Sequence, residues 1–74
     1  MHFENESLDE IAKSIQRMYN VDVMFASENI KNQRYTGTVN NKSLESVLNF
    51  IKLTSPVSFK INKKQVTLFE NKKE

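Results

Sequence analysis

The chain lacks most of the residue types on which catalysis, metal binding and covalent cross-linking depend. It contains no cysteine and no tryptophan, and only one histidine, one glycine and one proline. Without cysteine it forms no disulfide, and a lone His2 does not supply the three or four ligands of a zinc site. A single glycine also excludes a glycine-rich phosphate-binding loop. We therefore expect no enzyme activity, no catalytic residue, no metal and no cofactor.

Long hydrophobic runs and a strong charge of one sign are also missing. The longest apolar run, Val23–Ala26, has four residues, whereas a membrane-spanning helix needs about 20. The 11 basic and 9 acidic residues leave a net charge of +2, which is not the concentrated positive field of a nucleic-acid binder. We expect a single domain over residues 1–74. Because its first predicted strand begins almost at Met1, we expect this domain to be a piece of a longer protein.

What the chain does contain is an internal repeat with a spacing of 36 residues. At this spacing Ser7, Leu8, Ile11, Ile15, Val21, Val23 and Phe25 fall on Ser43, Leu44, Val47, Ile51, Val57, Phe59 and Ile61. Each copy has the pattern of a short strand, a capped helix and a returning strand. Two copies are too few for a solenoid. The repeat therefore predicts a closed α+β domain of two pseudo-repeated βαβ units, with two helices packed with small sheets in two or three layers.

The predicted element order is β-α-β-β-α-β-β. Ser7 and Ser43 have the type and position of helix N-caps, and Asn20 suits the left-handed residue that ends a helix. Strands are predicted at 2–5, 21–25, 34–39, 57–61 and 66–68, and Ile30 anchors the loop 26–33. Residues 62–65 join the last two strands as a hairpin turn, without the glycine that such turns usually carry.

The repeat also predicts the core, and among the apolar residues outside it four are candidates for a binding surface. The predicted core consists of Phe3, Leu8, Ile11, Ile15, Val21, Val23, Phe25, Val39, Leu44, Val47, Leu48, Ile51, Val57, Phe59 and Ile61. The four other residues, Met24, Phe50, Leu53 and Phe69, have two interpretations. They either seal a second face of the core or form a patch that binds a protein partner.

A sheet of so few strands has free edges, which are templates for the addition of a partner strand. The strand around Met24 and the last strand, which ends near Phe69, are both candidate edges. An RNA-binding module is another alternative, because segment 34–39 is similar to the aromatic strand of an RNA-recognition motif. That segment has one aromatic residue, Tyr35, where the motif stacks two or three. The other interpretation of Tyr35 is a half-buried strand residue.

Several segments together resemble the C-terminal domain of FecR-like anti-sigma factors. Phe3–Ile11 is similar to its opening F-x-N-x-x-L-x-x-I/V, and Tyr19–Val23 to its Y-G/N-V-x-V. Ile30–Asn32 followed by Tyr35–Val39 resembles its L-K-N and F/Y-T-G-x-F/V segments. Ser43–Leu48 and Leu53–Ile61 resemble its second helix and final hairpin. The resemblance covers essentially the whole chain and departs from the family at Lys63-Lys64, where the family often has a glycine.

The resemblance implies the fold of the short N-terminal domain of secretins and TonB-dependent transducers. It implies a periplasmic interaction domain whose parent protein crosses the inner membrane once. Its protein partner would be the signalling domain of an outer-membrane TonB-dependent transducer, and its output would be control of an extracytoplasmic-function sigma factor. Neither nucleic acid nor a small-molecule ligand is expected. The alternative within this resemblance is the equivalent signalling domain of the transducer itself or of a secretin.

Overall fold

The computed structural model describes residues 1–40 and 43–71 of the chain. Its elements in chain order are β1 (His2–Ser7), α1 (Leu8–Tyr19), β2 (Asp22–Phe25), a 3-10 helix (Glu28–Asn32), β3 (Arg34–Thr38), α2 (Leu44–Thr54), β4 (Val57–Asn62) and β5 (Gln65–Glu70). The α+β class and the order of strands and α-helices predicted from the sequence are confirmed. The 3-10 helix occupies most of the segment predicted as a loop.

Both α-helices begin at the predicted serines. The Ser7 Oγ accepts a hydrogen bond from the Glu10 amide at 3.3 Å, and the Ser43 Oγ accepts one from the Ser46 amide at 3.2 Å. Each bond satisfies one of the amides that a helix start leaves without a partner. α1 ends at Asn20, whose φ of 55° and ψ of 49° are left-handed. The repeat therefore has the same helix-start geometry in both copies.

The strands form two sheets. β1 pairs with β3 in an antiparallel two-stranded sheet, and the second sheet has the order β2-β5-β4. β5 is parallel to β2 and antiparallel to β4. The first strands of the two copies thus pair with each other, while the returning strands flank β5, which belongs to neither copy. The prediction that the last strand is an edge is wrong, because β5 has a partner on each side.

The two helices lie between the two sheets, which gives three layers. The Phe50 ring of α2 stacks on Phe3 of β1, with 5.5 Å between ring centroids, and lies 6.4 Å from the Tyr35 ring of β3. α2 also packs on β4, and α1 packs on both β1 and β2. Gly37 of β3 permits this arrangement, since a Cβ there would lie 3.1 Å from the Phe50 Cζ. The close approach at Gly37 is therefore made by an aromatic ring.

The core agrees with the repeat in the helices and differs from it in the three-stranded sheet. The buried hydrophobic residues are Phe3, Leu8, Ile11, Ala12, Ile15, Ile30, Tyr35, Val39, Val47, Leu48, Ile51, Val57, Val66 and Leu68. Val21, Val23, Phe25, Leu44 and Phe59 are partly buried against this cluster. Including Ile61 was wrong: it is 40% exposed, near the end of β4 where the strand runs into the turn. Val66 and Leu68 were missed, and both are fully buried.

The strand β1 contains a bulge at Asn5. The register with β3 shifts between Phe3 and Glu6, and Asn5 has a φ of 53°. Asparagine is one of the few residues that adopt this left-handed conformation readily. Two side chains of β3 stabilise the bulge by hydrogen bonds to the main chain of Asn5. The Thr36 Oγ1 accepts from the Asn5 amide at 3.0 Å, and Arg34 Nη1 donates to the Asn5 carbonyl at 3.0 Å.

Candidate protein-binding surface

The three-stranded sheet has one face toward the helices and one face away from them. Side chains alternate between the two faces along each strand, and Val66 and Leu68 point into the core. In the register of the sheet Met24, Thr67 and Lys60 lie side by side, as do Phe69 and Ser58. We call this set of residues the outer face: Asp22, Met24, Ser58, Lys60, Gln65, Thr67 and Phe69.

Two of the four apolar residues predicted to bind a partner lie on this outer face. Met24 is 52% exposed, and its Sδ accepts a hydrogen bond from Gln65 Nε2 on β5. Phe69 is partly buried on the adjacent strand, one step further along, since its neighbour Leu68 pairs with Phe25. Met24 and Phe69 are therefore diagonal neighbours on adjacent strands, which long side chains can bridge.

Leu53, the third predicted residue, lies at the corner where α2 turns into β4. Its side chain is 83% exposed. It lines an open cavity of about 510 Å³ together with Lys52, Ser55, Pro56 and Asn71. The Asn71 amide donates to the Pro56 carbonyl at 2.9 Å, which continues the pairing of β5 with β4 beyond Phe69. The cavity thus adjoins the Phe69 end of the outer face.

Phe50, the fourth predicted residue, is in a different place. Its ring packs between α2 and the two-stranded sheet, against Phe3, Tyr35 and the Cα of Gly37. It is partly buried against the core. This position corresponds to the interpretation in which the residue seals a second face of the core. The structure does not bring Phe50 together with Met24, Leu53 and Phe69.

Tyr35, the residue on which the RNA-binding alternative depends, lies on β3 and is buried against the core. It is 3% exposed, and its hydroxyl is 2.7 Å from the Ser55 Oγ at the end of α2. Burial raises the pKa of the Tyr35 phenol above its ordinary value, and the hydrogen bond with Ser55 partly opposes this effect. A ring in this position is not available for stacking on a base, so the single aromatic residue of that alternative is part of the core.

The polar residues of the surface do not assemble into a catalytic or metal-binding group. No cluster of three or more His, Cys, Asp or Glu side chains occurs among residues 1–40 and 43–71. His2 is exposed, and its Nδ1 lies 3.0 Å from the Thr38 Oγ1. No helix in the same residues is long and apolar enough to cross a membrane.

The comparison with known proteins agrees with this description. The profile of the family described as "FecR, C-terminal" matches residues 1–68. Two crystal structures, at 1.65 and 2.50 Å resolution, of a protein from Parabacteroides distasonis ATCC 8503 assigned as an anti-sigma factor have TM-scores of 0.86 and 0.84, at 22% and 23% sequence identity. Each alignment covers 97% of this chain and 34% of that one, so this chain spans about a third of their length.

The two crystal structures show a shared fold, and no curated protein matches the chain. The family is shown by the profile, since its match extends over residues 1–68 of 74. The chain therefore belongs to the FecR C-terminal family.

Proposed function

We propose that this chain is the periplasmic sensor domain of a FecR-like anti-sigma factor. In this proposal the parent protein is anchored in the inner membrane. The domain binds the signalling domain of an outer-membrane TonB-dependent transducer, and it relays that contact to an extracytoplasmic-function sigma factor. Its role is recognition of a protein, without catalysis.

The observation that carries this proposal is the exposure of two apolar residues, Met24 on the outer face and Leu53 at the open cavity beside the end of α2. Met24 and Leu53 are 52% and 83% exposed, so they add little to the stability of the isolated domain. Exposed apolar residues that adjoin an open cavity are typical of protein-binding surfaces, where large side chains supply most of the affinity. The family membership supports a protein as the partner, and the exposure of these residues supports binding at this part of the domain.

The proposal is tested by calorimetric titration of the domain with the signalling domain of the transporter encoded next to the parent gene. We expect a complex of the two domains. We expect Met24→Glu and Leu53→Glu each to weaken it by about tenfold or more, because a buried carboxylate without a partner is costly. Met18→Glu is the matched control, since Met18 is a 60% exposed methionine on α1. Equal effects of all three substitutions, or no complex at all, would contradict the proposal.

The proposed location has a separate test. Alkaline phosphatase folds into an active enzyme only in an oxidising compartment, where its disulfides form. A fusion of this enzyme after Asn71 of the full-length parent should therefore be active, and a fusion to the parent's N-terminus should be inactive. The reverse pattern would place the domain in the cytoplasm and exclude contact with an outer-membrane transporter.

A further inference from the structure

The two edges of the three-stranded sheet differ in how they are protected. On β2, the amides of Asp22 and Ala26 donate to the Lys64 and Leu68 carbonyls, each at 2.8 Å. Since alternate residues of a strand point to opposite sides, the amides of Val23 and Phe25 point to the free edge. The Gln16 Oε1 of α1 accepts from the Val23 amide at 2.9 Å. A helix side chain thus occupies the centre of the short β2 edge.

The β4 edge has no such cap. The Asn71 amide donates to the Pro56 carbonyl, and the bonded pairs of an antiparallel ladder recur at every second residue. Ser58, Lys60 and Asn62 therefore bond to β5, while the main-chain groups of Val57, Phe59 and Ile61 point away from the sheet. None of the described side chains hydrogen-bonds these three residues. β4 is six residues long, against four for β2.

Apolar side chains lie beside the β4 edge on the helix side of the sheet, and a lysine lies beside it on each side. Ile61 is 40% exposed and Phe59 is partly buried, both on the helix side of the sheet. The Lys52 Nζ lies 6.0 Å from the centroid of the Phe59 ring on that side, and Lys60 lies on the outer face. Between residues 46 and 69 the sequence has four lysines and no Asp or Glu. A segment lying along β4 therefore meets positive charge.

We infer that the β4 edge accepts an extended segment of the protein partner in which acidic and apolar residues alternate. The segment adds a fourth strand to the sheet through the main-chain groups of Phe59 and Ile61, since Val57 is only 1% exposed. Its apolar side chains cover Ile61, and its acidic side chains face Lys60. A second copy of this chain is a poor occupant, because pairing β4 with itself would bring like charges together. The inference rests on the proposal that the domain binds a protein.

The test uses the complete 74-residue chain and a synthetic peptide, Thr-Val-Glu-Val-Asp-Val-Glu-Thr with blocked ends. In amide NMR spectra the peptide should shift and protect the amides of Phe59 and Ile61 and leave that of Phe25 unchanged. A version with lysine in place of the acidic residues should bind at least about tenfold more weakly, because its charge is repelled. Protection on β2 instead of β4, or equal binding of both peptides, would overturn the inference.

Main-chain pairing is separated from simple charge attraction by N-methylated peptides. Methylation of the three valine amides and methylation of the three acidic amides block opposite edges of the added strand. One version should lose about tenfold or more in affinity, and the other should bind nearly as well as the parent peptide. Equal affinity of the two methylated peptides would mean that the segment is not held as a strand.

The charge component is tested by Lys60→Glu, with Arg17→Glu on α1 as a control of equal charge change. Lys60→Glu should weaken binding of the peptide by about threefold or more and Arg17→Glu by much less, because exposed charge pairs each contribute up to about 1 kcal/mol.

If the transporter domain binds while no peptide does, this inference fails and the proposed function stands. If the peptide binds at β4 while the transporter domain does not, the proposed function fails and the inference stands. Self-association of the domain through β4 would overturn the inference that this edge binds a segment of a partner protein.

Discussion

At the residue scale, Tyr35 links the two-stranded sheet to the end of α2. Its hydroxyl lies 2.7 Å from the Ser55 Oγ, and Ser55 in turn donates to the Ile51 carbonyl at 2.7 Å. From the sequence, a lone aromatic residue beside Gly37 indicated a half-buried strand position. The complete burial of Tyr35 was not predictable, because the group that satisfies its hydroxyl lies 20 residues away along the chain.

The raised pKa of Tyr35 predicts a loss of stability at alkaline pH. The buried phenol is harder to ionise in the folded chain than in the unfolded chain, where its pKa is about 10. Its contribution is therefore fully present below about pH 10 and is lost as the pH rises through the higher folded pKa. In urea unfolding at pH 7, Tyr35→Phe should cost about 1 kcal/mol for the lost hydrogen bond. Above pH 10 the difference between the two proteins should shrink.

The partly buried Tyr19 supplies the control for this measurement. Tyr19→Phe should leave the steepness of the alkaline decline close to that of the parent, since the prediction assigns the decline to Tyr35. If the free energy of unfolding of Tyr35→Phe runs parallel to that of the parent from pH 7 to pH 11, Tyr35 does not cause the decline.

At the element scale, the β4–β5 hairpin shows how a turn forms without its usual glycine. The turn residues are Lys63 and Lys64, and Lys63 has a φ of 57°. A left-handed conformation costs a residue with a Cβ about 1–2 kcal/mol, whereas glycine adopts it without this cost. Lys63→Gly should therefore stabilise the domain by about 0.5–1 kcal/mol after the entropy of glycine in the unfolded chain is subtracted.

Lys64→Gly is the matched control, because it removes the same charge from a residue without positive φ. It should destabilise the domain by about 0.5–1 kcal/mol. The Tm values of the two variants, measured by thermal unfolding under the same conditions, separate the effect of backbone conformation from that of charge. Equal shifts in Tm would show that lysine charge, and not the left-handed backbone at Lys63, controls the stability of the turn.

Local signals predicted the elements well and their pairing poorly. The serine caps, the residue Asn20 and the turn at 62–65 are short-range features, and each lies where the sequence indicated. The central place of β5 is a matter of tertiary pairing, and no pattern within the segment 65–70 distinguishes a central strand from an edge. The predicted edge at the strand of Met24 is confirmed, since β2 lies at one side of the sheet. The other candidate, the strand of Phe69, is central, and the sequence did not indicate the free edge of β4.

At the scale of the whole molecule, the 36-residue repeat predicted the helical half of the core and misjudged the sheet. It included Ile61 because Ile61 aligns with Phe25. At Ile61, however, β4 extends toward the turn and the side chain is exposed. It left out Val66 and Leu68 because β5 has no counterpart in the first copy. The repeat explains why the returning strands β2 and β4 are equivalent, and the extra strand between them supplies the two buried residues that complete the core.

This distribution of burial predicts that residues of the repeat contribute to stability according to their burial. Ile15 is fully buried between the sheets, whereas Leu44, at the start of α2, is only partly buried. Ile15→Ala should cost about 2–5 kcal/mol, since it removes a buried side chain and leaves a cavity. Leu44→Ala should cost less, about 1 kcal/mol, since only part of its side chain leaves water on folding.

A chain of 74 residues without a disulfide has a total stability near the lower end of the usual range of about 5–15 kcal/mol. Ile15→Ala should therefore be largely unfolded at 37 °C, while Leu44→Ala should keep a cooperative transition in denaturant. Ile51, the repeat equivalent of Ile15, is 1% exposed, and Ile51→Ala should match Ile15→Ala. Equal losses for Leu44→Ala and Ile15→Ala would mean that burial in the folded chain does not determine the cost.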